Sequence, residues 1–241
     1  MSRSYDAVAC LAVKDNPFIF DSKPMIWKVE TIIFDFDGVL VDTCQDIANS
    51  VNHVLRQFGL KELPSEKVAT LIGGGLESII RQALGESNEK HIEEALPIYR
   101  RHYSENCLVT TVLYPGIAEV LEHFHRCKKR MAIATNKAEP LTRLIIKGLG
   151  IEAYFEMVVG PESVARQKPH PDMLVHIAHK LGTSLTRTIM IGDAPTDIQA
   201  AKAAQVLSCG VTYGYSTPEE ILRACPDLIV HWAEDLPRWI R

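Results

Sequence analysis

The 241-residue sequence lacks the features that mark several large classes of protein. No apolar run approaches the roughly 18 consecutive residues that a membrane-spanning helix needs, so we expect no membrane partner. The formal net charge of −4 provides no basic surface for nucleic acid, so we expect no nucleic-acid partner either. The chain also contains no internal repeat and no low-complexity tract. These absences leave an ordinary globular domain as the expected class.

The cysteines and the first residues indicate where the protein works. Six cysteines are scattered along the chain without a C-x-x-C pair, which is typical of free thiols in a reducing compartment. The apolar run 7–13 is short, follows an aspartate and is closed by Lys14 and Asp15. We interpret it as structure rather than as a signal peptide. The sequence therefore predicts a cytoplasmic protein.

Residues 1–28 stand apart from the rest of the sequence. Two apolar runs, 7–13 and 18–20, flank the turn signal Lys-Asp-Asn-Pro. This pattern predicts an N-terminal extension that forms a small hairpin or a loosely held arm. Nothing in it indicates a function.

After residue 30, strand patterns alternate with helix patterns. The predicted strands are rich in apolar β-branched residues and lie at 31–36, 131–135, 156–159, 188–191, 206–211 and 228–230. Helical spacing fills the intervals at 117–127, 140–149, 171–181, 196–204 and 218–224. This alternation predicts an α/β fold with a parallel sheet that is covered on both faces.

An all-helical stretch interrupts this alternation directly after the first strand. Helical patterns at 46–58, 76–84 and 89–103 follow one another with no strand between them. We interpret 44–112 as a cap inserted into a core made of 29–43 and 113–241, with hinges near Thr43 and Leu113. The three glycines at 73–75 predict either a hinge or substrate loop, or only the end of a helix.

Polar residues follow four of the predicted strands. Ligands of open parallel sheets bind outside the carboxyl ends of the strands, so these residues should meet at one rim. They are Asp35 and Asp37, Thr135 and Asn136, Lys168, and Asp193 and Asp197. Four carboxylates around one lysine would repel each other and raise each other's pKa values. A hard divalent cation such as Mg²⁺ removes that conflict.

This set of side chains contains the groups that phosphoryl transfer needs. One carboxylate can act as nucleophile and another as general acid and base, while Thr135, Asn136 and Lys168 hold phosphoryl oxygens. A D-x-D pair alone is weak evidence, because a calcium loop also contains one. Here Val39 and Val41 occupy the next ligand positions of such a loop, which argues against it.

Four segments of this sequence resemble the signature motifs of the haloacid dehalogenase superfamily of phosphatases. They are FDFDGVLVDT, TNK, KPHPD and GDAPTD, and the resemblance runs from about Thr31 to Ile229. Within the superfamily, DTCQDIANSVN, IGGGLESIIRQAL and VTYGY are most similar to the phosphoglycolate phosphatases with a helical cap. The resemblance implies a Rossmann-like parallel-sheet core and an inserted α-helical cap.

The resemblance also implies roles for the acidic residues. Asp35 would attack phosphorus and form an aspartyl-phosphate. Asp37 would protonate the leaving alkoxide and then activate the hydrolytic water. Mg²⁺ would be bound by the side chains of Asp35 and Asp193 and by the backbone carbonyl of Asp37.

The remaining motif residues would support this chemistry. The resemblance implies that Thr135 and Asn136 bind the phosphoryl oxygens. Lys168 would stabilise the charge on the nucleophile and on the phosphate. Asp197 would orient the metal or Lys168 without reacting itself.

Three residues bear on the kind of reaction. Dehalogenases and phosphonatases of the superfamily lack an acid at the position of Asp37, so its presence favours phosphate esters. Val39 replaces a common threonine and also occurs in sugar phosphomutases, and Ala194 replaces a common serine. We predict a phosphatase of a small phosphorylated metabolite, with 2-phosphoglycolate as the favoured substrate. The alternatives are a β-phosphoglucomutase-type mutase, a pyrophosphatase and a broad sugar-phosphate phosphatase.

A binding module is the alternative from another class. Signalling receiver domains also combine a parallel sheet, an aspartate and Mg²⁺. Their phosphorylated aspartate ends a later strand, however, and here the strand at 131–135 ends in Thr135 and Asn136. This order favours an enzyme, which we expect to be a monomer or a homodimer.

Two cationic side chains are candidates for recognising the leaving group of the substrate. A substrate carboxylate would need a cation in or near the cap. Arg81 either binds it or lies on a solvated helix face. Lys137 follows Asn136 and either lies at the mouth of the site or caps the start of a helix.

Overall fold

The computed structural model describes residues 26–241, and the predicted hairpin at 7–20 lies outside them. Six parallel strands form the central sheet in the order β5-β4-β1-β6-β7-β8. Their bounds are β1 Thr31–Phe34, β4 Arg130–Ala134, β5 Met157–Val159, β6 Thr188–Gly192, β7 Leu207–Val211 and β8 Leu228–Val230. A second, two-stranded sheet pairs β2 (Val41–Asp42) with β3 (Val112–Leu113). The predicted α/β fold with a parallel sheet is confirmed.

The described residues contain ten α-helices. Four of them lie between β2 and β3: α1 Cys44–Gln57, α2 Ser65–Ala69, α3 Leu76–Leu84 and α4 Ile92–Asn106. The others are α5 Ile117–Arg126, α6 Glu139–Gly148, α7 Asp172–Leu181, α8 Pro195–Ala204, α9 Pro218–Ala224 and α10 Leu236–Trp239. The sequence pattern did not predict α2, α10 or the β2–β3 pair. These elements are two to five residues long, which is too short for a periodic signal.

Two layers of buried side chains cover the sheet, because successive residues of a strand point to opposite faces. In β1, Ile32 and Phe34 belong to one hydrophobic cluster and Ile33 belongs to the other. All three side chains are fully buried. A strand that is buried on both faces has to be apolar at every position, which is why 31–34 reads as a continuous apolar run.

The first strand ends two residues earlier than predicted, because the chain turns sharply there. The carbonyl of Phe36 accepts hydrogen bonds from the backbone N–H groups of Leu40 at 3.0 Å and Val41 at 3.2 Å. Gly38 lies inside this turn with a φ of +86°, a left-handed backbone conformation that residues other than glycine rarely adopt. The turn lifts Asp35 and Asp37 out of the sheet and onto its rim.

The two crossings between the sheet and helices α1–α4 lie side by side. Val41 pairs with Leu113 and Asp42 pairs with Val112 in the antiparallel β2–β3 ribbon. Beside the ribbon, the buried carboxylate of Asp46 in α1 accepts hydrogen bonds from the backbone and hydroxyl groups of Thr110 and Thr111, at 2.6–3.1 Å. The crossings are therefore joined, although the boundaries of a separate cap at 44 and 112 stay a prediction.

Among the described residues, the cysteines differ from expectation at one position. Cys44, Cys107, Cys127 and Cys209 are free thiols, as predicted. Cys225 is disulfide-bonded, so the prediction of free thiols is wrong there. No helix of the described residues is long and apolar enough to cross a membrane. The cytoplasmic location stays a prediction.

We predict that Asp46→Ala lowers the free energy of unfolding by about 3 kcal/mol, because it leaves the N–H and hydroxyl groups of buried Thr111, and those of exposed Thr110, without their acceptor. Asp46→Asn should cost less, since its amide keeps one acceptor oxygen. Urea unfolding measures both. The control is Glu119→Ala on the exposed face of α5, which should change stability by less than about 0.5 kcal/mol. An Asp46→Ala protein as stable as that control would contradict the prediction.

Candidate active site

A buried lysine lies between two carboxylates at the carboxyl end of the sheet. The Nζ atom of Lys168 is 2.8 Å from Oδ1 of Asp35 and 2.7 Å from Oδ1 of Asp197. The lysine side chain is 1% exposed, Asp35 is 9% exposed and Asp197 is fully buried. Asp193 completes the group, because one carboxylate oxygen from each of the three aspartates lies within 4.8 Å of the others.

The parallel sheet explains why these residues meet. β1 and β6 are neighbours with Phe34 opposite Ile191, so the residues that follow them, Asp35 and Asp193, reach the same rim. Lys168 lies in the loop after β5, and the side-chain amide of Asn136 holds its backbone in place. Oδ1 of Asn136 accepts the Lys168 backbone N–H at 3.1 Å, and Nδ2 of Asn136 donates to the Lys168 carbonyl at 3.1 Å.

Two glycines make room for Asp193. A Cβ atom at Gly38 would lie 2.1 Å from Oδ2 of Asp193, and one at Gly214 would lie 2.3 Å from the same atom. Neither distance is compatible with a real side chain, so both positions require glycine. The backbone N–H of Tyr215 donates to Oδ2 of Asp193 at 2.7 Å. The carboxylate is thus held on several sides by backbone atoms.

Asp197 is fixed by its own helix and by a third glycine. It lies in the first turn of α8, and its Oδ2 atom accepts the backbone N–H of Ala194 at 3.0 Å. A Cβ atom at Gly192 would lie 2.2 Å from the Cβ atom of Asp197. One oxygen of Asp197 therefore accepts a hydrogen bond at the start of the helix, and the other accepts one from Lys168.

Crowding and burial change the pKa values of these groups. Burial raises the pKa of the Asp35 carboxyl to about 7, and the charge of Asp197 adds to the effect. Burial, together with Asp35 and Asp197, raises the pKa of Asp193 well above its usual range. Burial on its own would lower the pKa of Lys168, but the charges of Asp197 and Asp35 and their hydrogen bonds raise it.

The donor set fits a divalent cation. Asp35, Asp193 and Asp197 are buried close together, and Lys168 pairs with two of them, Asp35 and Asp197. Negative charge is therefore in excess within a small volume. Carboxylate oxygens are the ligands that hard cations such as Mg²⁺ prefer. A cation beside Asp35 and Asp193 would stabilise their ionised forms. The acidic cluster can therefore hold a metal ion.

Asp37 is held apart from this cluster by other partners. Its Oδ1 atom accepts the hydroxyl of Thr43 at 2.6 Å, and both of its oxygens lie 3.0 Å from Nζ of Lys137. The hydroxyl of Tyr215 accepts the backbone N–H of Thr43 at 2.8 Å and donates to Asp42 at 3.1 Å. The two aspartates of the D-x-D pair thus have different environments.

The residues predicted to bind phosphoryl oxygens lie at the same rim but are engaged with the protein. Oγ1 of Thr135 accepts the backbone N–H of Lys137 at 3.1 Å. Nδ2 of Asn136 also donates to the carbonyl of Gly73 at 2.8 Å, which links the rim to the glycine loop. In this structure the amide of Asn136 orients Lys168 and the loop. Phosphoryl binding by these two residues stays a prediction.

A cavity of about 430 Å³ lies between the rim and helices α1, α3 and α4. Asp35, Asp37, Thr135, Asn136 and Lys137 line it from the side of the sheet. Apolar residues line much of the opposite side, namely Ile47, Ile72, Leu76 and Ile79, with Tyr99 and Tyr103 from α4. Gly73 and Gly75 also line it, which favours the substrate-loop interpretation of the glycines.

Arg81 is not among the residues that line this cavity. It forms ion pairs with Glu77 at 2.6 Å and with Glu89, and its side chain is 42% exposed. The structure therefore favours the solvated helix face over carboxylate binding. Lys137 does line the cavity, as one of its two interpretations proposed.

Sequence reasoning missed Thr43, Tyr215 and the glycines Gly38, Gly192 and Gly214 as parts of the site. Tyr215 lies in VTYGY, a motif that indicates the family resemblance but not a role for the tyrosine. The signal for the glycines was their position directly beside acidic residues or, for Gly214, inside that motif. Tyr215 and Thr43 are 172 positions apart in the sequence, so no local sequence pattern could predict their contact.

Comparison with known proteins gives consistent results. Residues 32–211 match the family model described as haloacid dehalogenase-like hydrolase. A phosphoglycolate phosphatase of Nitrosospira multiformis is 32% identical over 207 residues, which cover 84% of this chain and 91% of the relative. One of Colwellia psychrerythraea is 35% identical over 199 residues, covering 80% and 88%.

Solved structures agree with these relatives. A crystal structure of a protein described as a predicted phosphoglycolate phosphatase from Haemophilus somnus is 29% identical to this chain, with a TM-score of 0.81. It covers 88% of this chain and 97% of its own. Together with the family match over most of the chain, these likenesses leave one assignment. The chain belongs to the haloacid dehalogenase-like hydrolase family and is a phosphatase.

Proposed function

We propose that this phosphatase hydrolyses small phosphate monoesters with Mg²⁺ through an aspartyl-phosphate, and that 2-phosphoglycolate is its substrate. One observation carries the proposal: Asp35 belongs to the buried acidic cluster with Lys168, whereas Asp37 lies outside that cluster, and both line one cavity. A nucleophile and an acid need this separation of environments. The names of the relatives support 2-phosphoglycolate as the ester.

The first half of the reaction transfers the phosphoryl group to the protein. An oxygen of Asp35 forms a bond to phosphorus while the bond between phosphorus and the ester oxygen breaks. Asp37 donates its proton to the leaving alkoxide. Lys168, held by Asp197, stabilises the charge on Asp35 and on the phosphoryl oxygens.

The second half returns Asp35 to its carboxylate form. Asp37, which is now ionised, takes a proton from water, and the water oxygen attacks phosphorus. The bond between phosphorus and Asp35 breaks and inorganic phosphate is released. When bound by Asp35, Asp193 and the Asp37 carbonyl, Mg²⁺ supplies positive charge that neutralises the carboxylates and the phosphoryl group.

We predict that Asp35→Asn lowers phosphate release from 2-phosphoglycolate by about 10⁴-fold or more, because the amide cannot form the intermediate. The assay compares 2-phosphoglycolate, pyrophosphate and glucose phosphates. Asp235→Asn is the control, since within residues 26–241 Asp235 forms an ion pair with Arg238 alone, and it does not line the cavity. Conversion of β-glucose 1-phosphate to glucose 6-phosphate without phosphate release would support the mutase instead. Preference for pyrophosphate would contradict the proposed substrate.

We predict that Asp37→Asn affects esters according to their leaving group. An alkyl ester needs a proton on its leaving oxygen, so its hydrolysis should slow by about 10³-fold. p-Nitrophenyl phosphate needs none, so the variant should release about one equivalent of nitrophenolate in a burst and then stall as a phosphoprotein. Mass spectrometry of the intact protein detects the added phosphoryl group. Equal slowing on both esters without a phosphoprotein would contradict the role of Asp37.

We predict that a chelator abolishes activity and that Mg²⁺ restores it. Gly214→Ala should raise the Mg²⁺ concentration needed for half-maximal activity by about tenfold or more, because its Cβ atom would displace Asp193. Gly182→Ala controls for a general loss of stability, since its φ of +64° strains an alanine while a Cβ atom there contacts nothing within 4 Å. An unchanged Mg²⁺ requirement in Gly214→Ala would remove Asp193 from the metal site.

A further inference from the structure

We propose that Lys137 determines substrate specificity by binding a carboxylate on the carbon next to the ester oxygen. The inference rests on the proposed function and extends it to a substrate class, the phosphate esters of small 2-hydroxy acids. Lys137 carries no role in the mechanism above. Its side chain is 8% exposed and lines the cavity between the rim and α4.

The position of Lys137 relative to Asp37 determines which part of a bound substrate its ammonium group can contact. As the proton donor, Asp37 has to come within hydrogen-bond distance of the ester oxygen. Nζ of Lys137 is 3.0 Å from each Asp37 oxygen. In a 2-phosphoryloxy acid, the carboxylate carbon is two bonds from the ester oxygen. The ammonium group therefore lies beside the space that this carboxylate enters.

Helix α4 closes over the same ammonium group. Nζ of Lys137 lies 4.7 Å from the ring centre of Tyr103, a cation–π distance, and Tyr99 stacks on Tyr103 with ring centres 5.4 Å apart. The Tyr103 hydroxyl is buried and has no hydrogen-bond partner among the described residues. The aromatic pair thus holds Lys137 in place and shields it from water, which strengthens its attraction to an anion.

The remaining lining argues against a larger polar leaving group. Several aliphatic side chains line the cavity from α1, α3 and the glycine loop, and the polar side chains that α4 adds, Arg100, Arg101 and Ser104, are exposed. A sugar there would leave several of its hydroxyl groups without partners, which is costly. A carboxylate only accepts hydrogen bonds, and one ammonium group can satisfy much of that need. The chemistry of the cavity therefore fits a small acid.

Arg100 is the competing cation. It also lines the cavity from α4 and has no ion-pair partner among the described residues, but its side chain is exposed. Its neighbour Arg101 lines the cavity too, but it is exposed and pairs with Glu105 at 3.6 Å. An exposed cation is screened by water and salt, whereas Lys137 is nearly buried. We therefore assign the carboxylate to Lys137 and use Arg100 as a test of that choice.

The experiment compares two esters that differ only in the group attached to the carbon next to the ester oxygen. 2-Phosphoglycolate carries a carboxylate there, and 2-hydroxyethyl phosphate carries a neutral CH₂OH group. The readout is the ratio of their kcat/KM values, which cancels any general effect of a variant on Asp37. Lys137→Met should lower this ratio by about 30-fold, the cost of one hydrogen bond to a charged group. Lys137→Arg, which keeps the charge, should retain most of the ratio.

Control variants and binding measurements complete the test. Lys147→Met, the same substitution on the exposed face of α6, and Arg100→Met should leave the ratio within about threefold of wild type. In the Asp35→Asn background, Lys137→Met should weaken the binding of 2-phosphoglycolate by calorimetry more than that of 2-hydroxyethyl phosphate. Thermal melts confirm that each variant is folded.

The outcomes separate this inference from the proposed function. If wild type releases phosphate from neither ester, the proposed function fails. If wild type prefers 2-phosphoglycolate but Lys137→Met lowers both kcat/KM values equally, Lys137 only supports Asp37 and the inference is overturned. A selective loss in Arg100→Met would also overturn it.

Discussion

The charge balance around Lys168 is the constraint on which the rest of the rim depends. Burying an ammonium group is costly unless it is paired, and here Asp35 and Asp197 pair it at 2.8 and 2.7 Å. Each of the three comes from a different part of the chain, so the parallel sheet has to form before the charges can meet. The pairing also leaves Asp193 without a cation among these residues, which is why the rim fits an added divalent ion.

Backbone geometry does much of the work of placing these charges. Gly38, Gly192 and Gly214 allow the chain to approach Asp193 and Asp197 more closely than any side chain would permit. Several of the resulting contacts come from backbone N–H groups, whose direction is fixed by the turn or helix that carries them. Such donors hold a carboxylate without the rotamer freedom of a side chain, and this is the preorganisation that catalysis requires.

Much of the sheet and the rim could be predicted from the sequence, because both depend on local patterns. Apolar β-branched runs indicated the strands, and the rule for strand ends brought Asp35 and Lys168 to one edge. The contacts of Tyr215 with Thr43 and of Lys137 with Asp37 join residues 172 and 100 positions apart, and no spacing reports them. The solvated helix face, one of the two interpretations of Arg81, could be supported from spacing, since Glu77 lies four residues before it on α3, whereas its second partner Glu89 comes from the turn that follows the helix.

The paired crossings at β2 and β3 have a consequence for how this architecture can vary. The helical segment leaves the core at Asp42 and returns at Val112, and these residues are direct partners in the ribbon. The entropic cost of joining these two ends grows only with the logarithm of the length between them, by about 0.6 kcal/mol for each doubling. The segment can therefore be exchanged for a longer, shorter or differently folded one while the register of the six-stranded sheet stays intact. The side chains that α1, α3 and α4 present to the cavity can then change while the acidic rim and Lys137 stay the same.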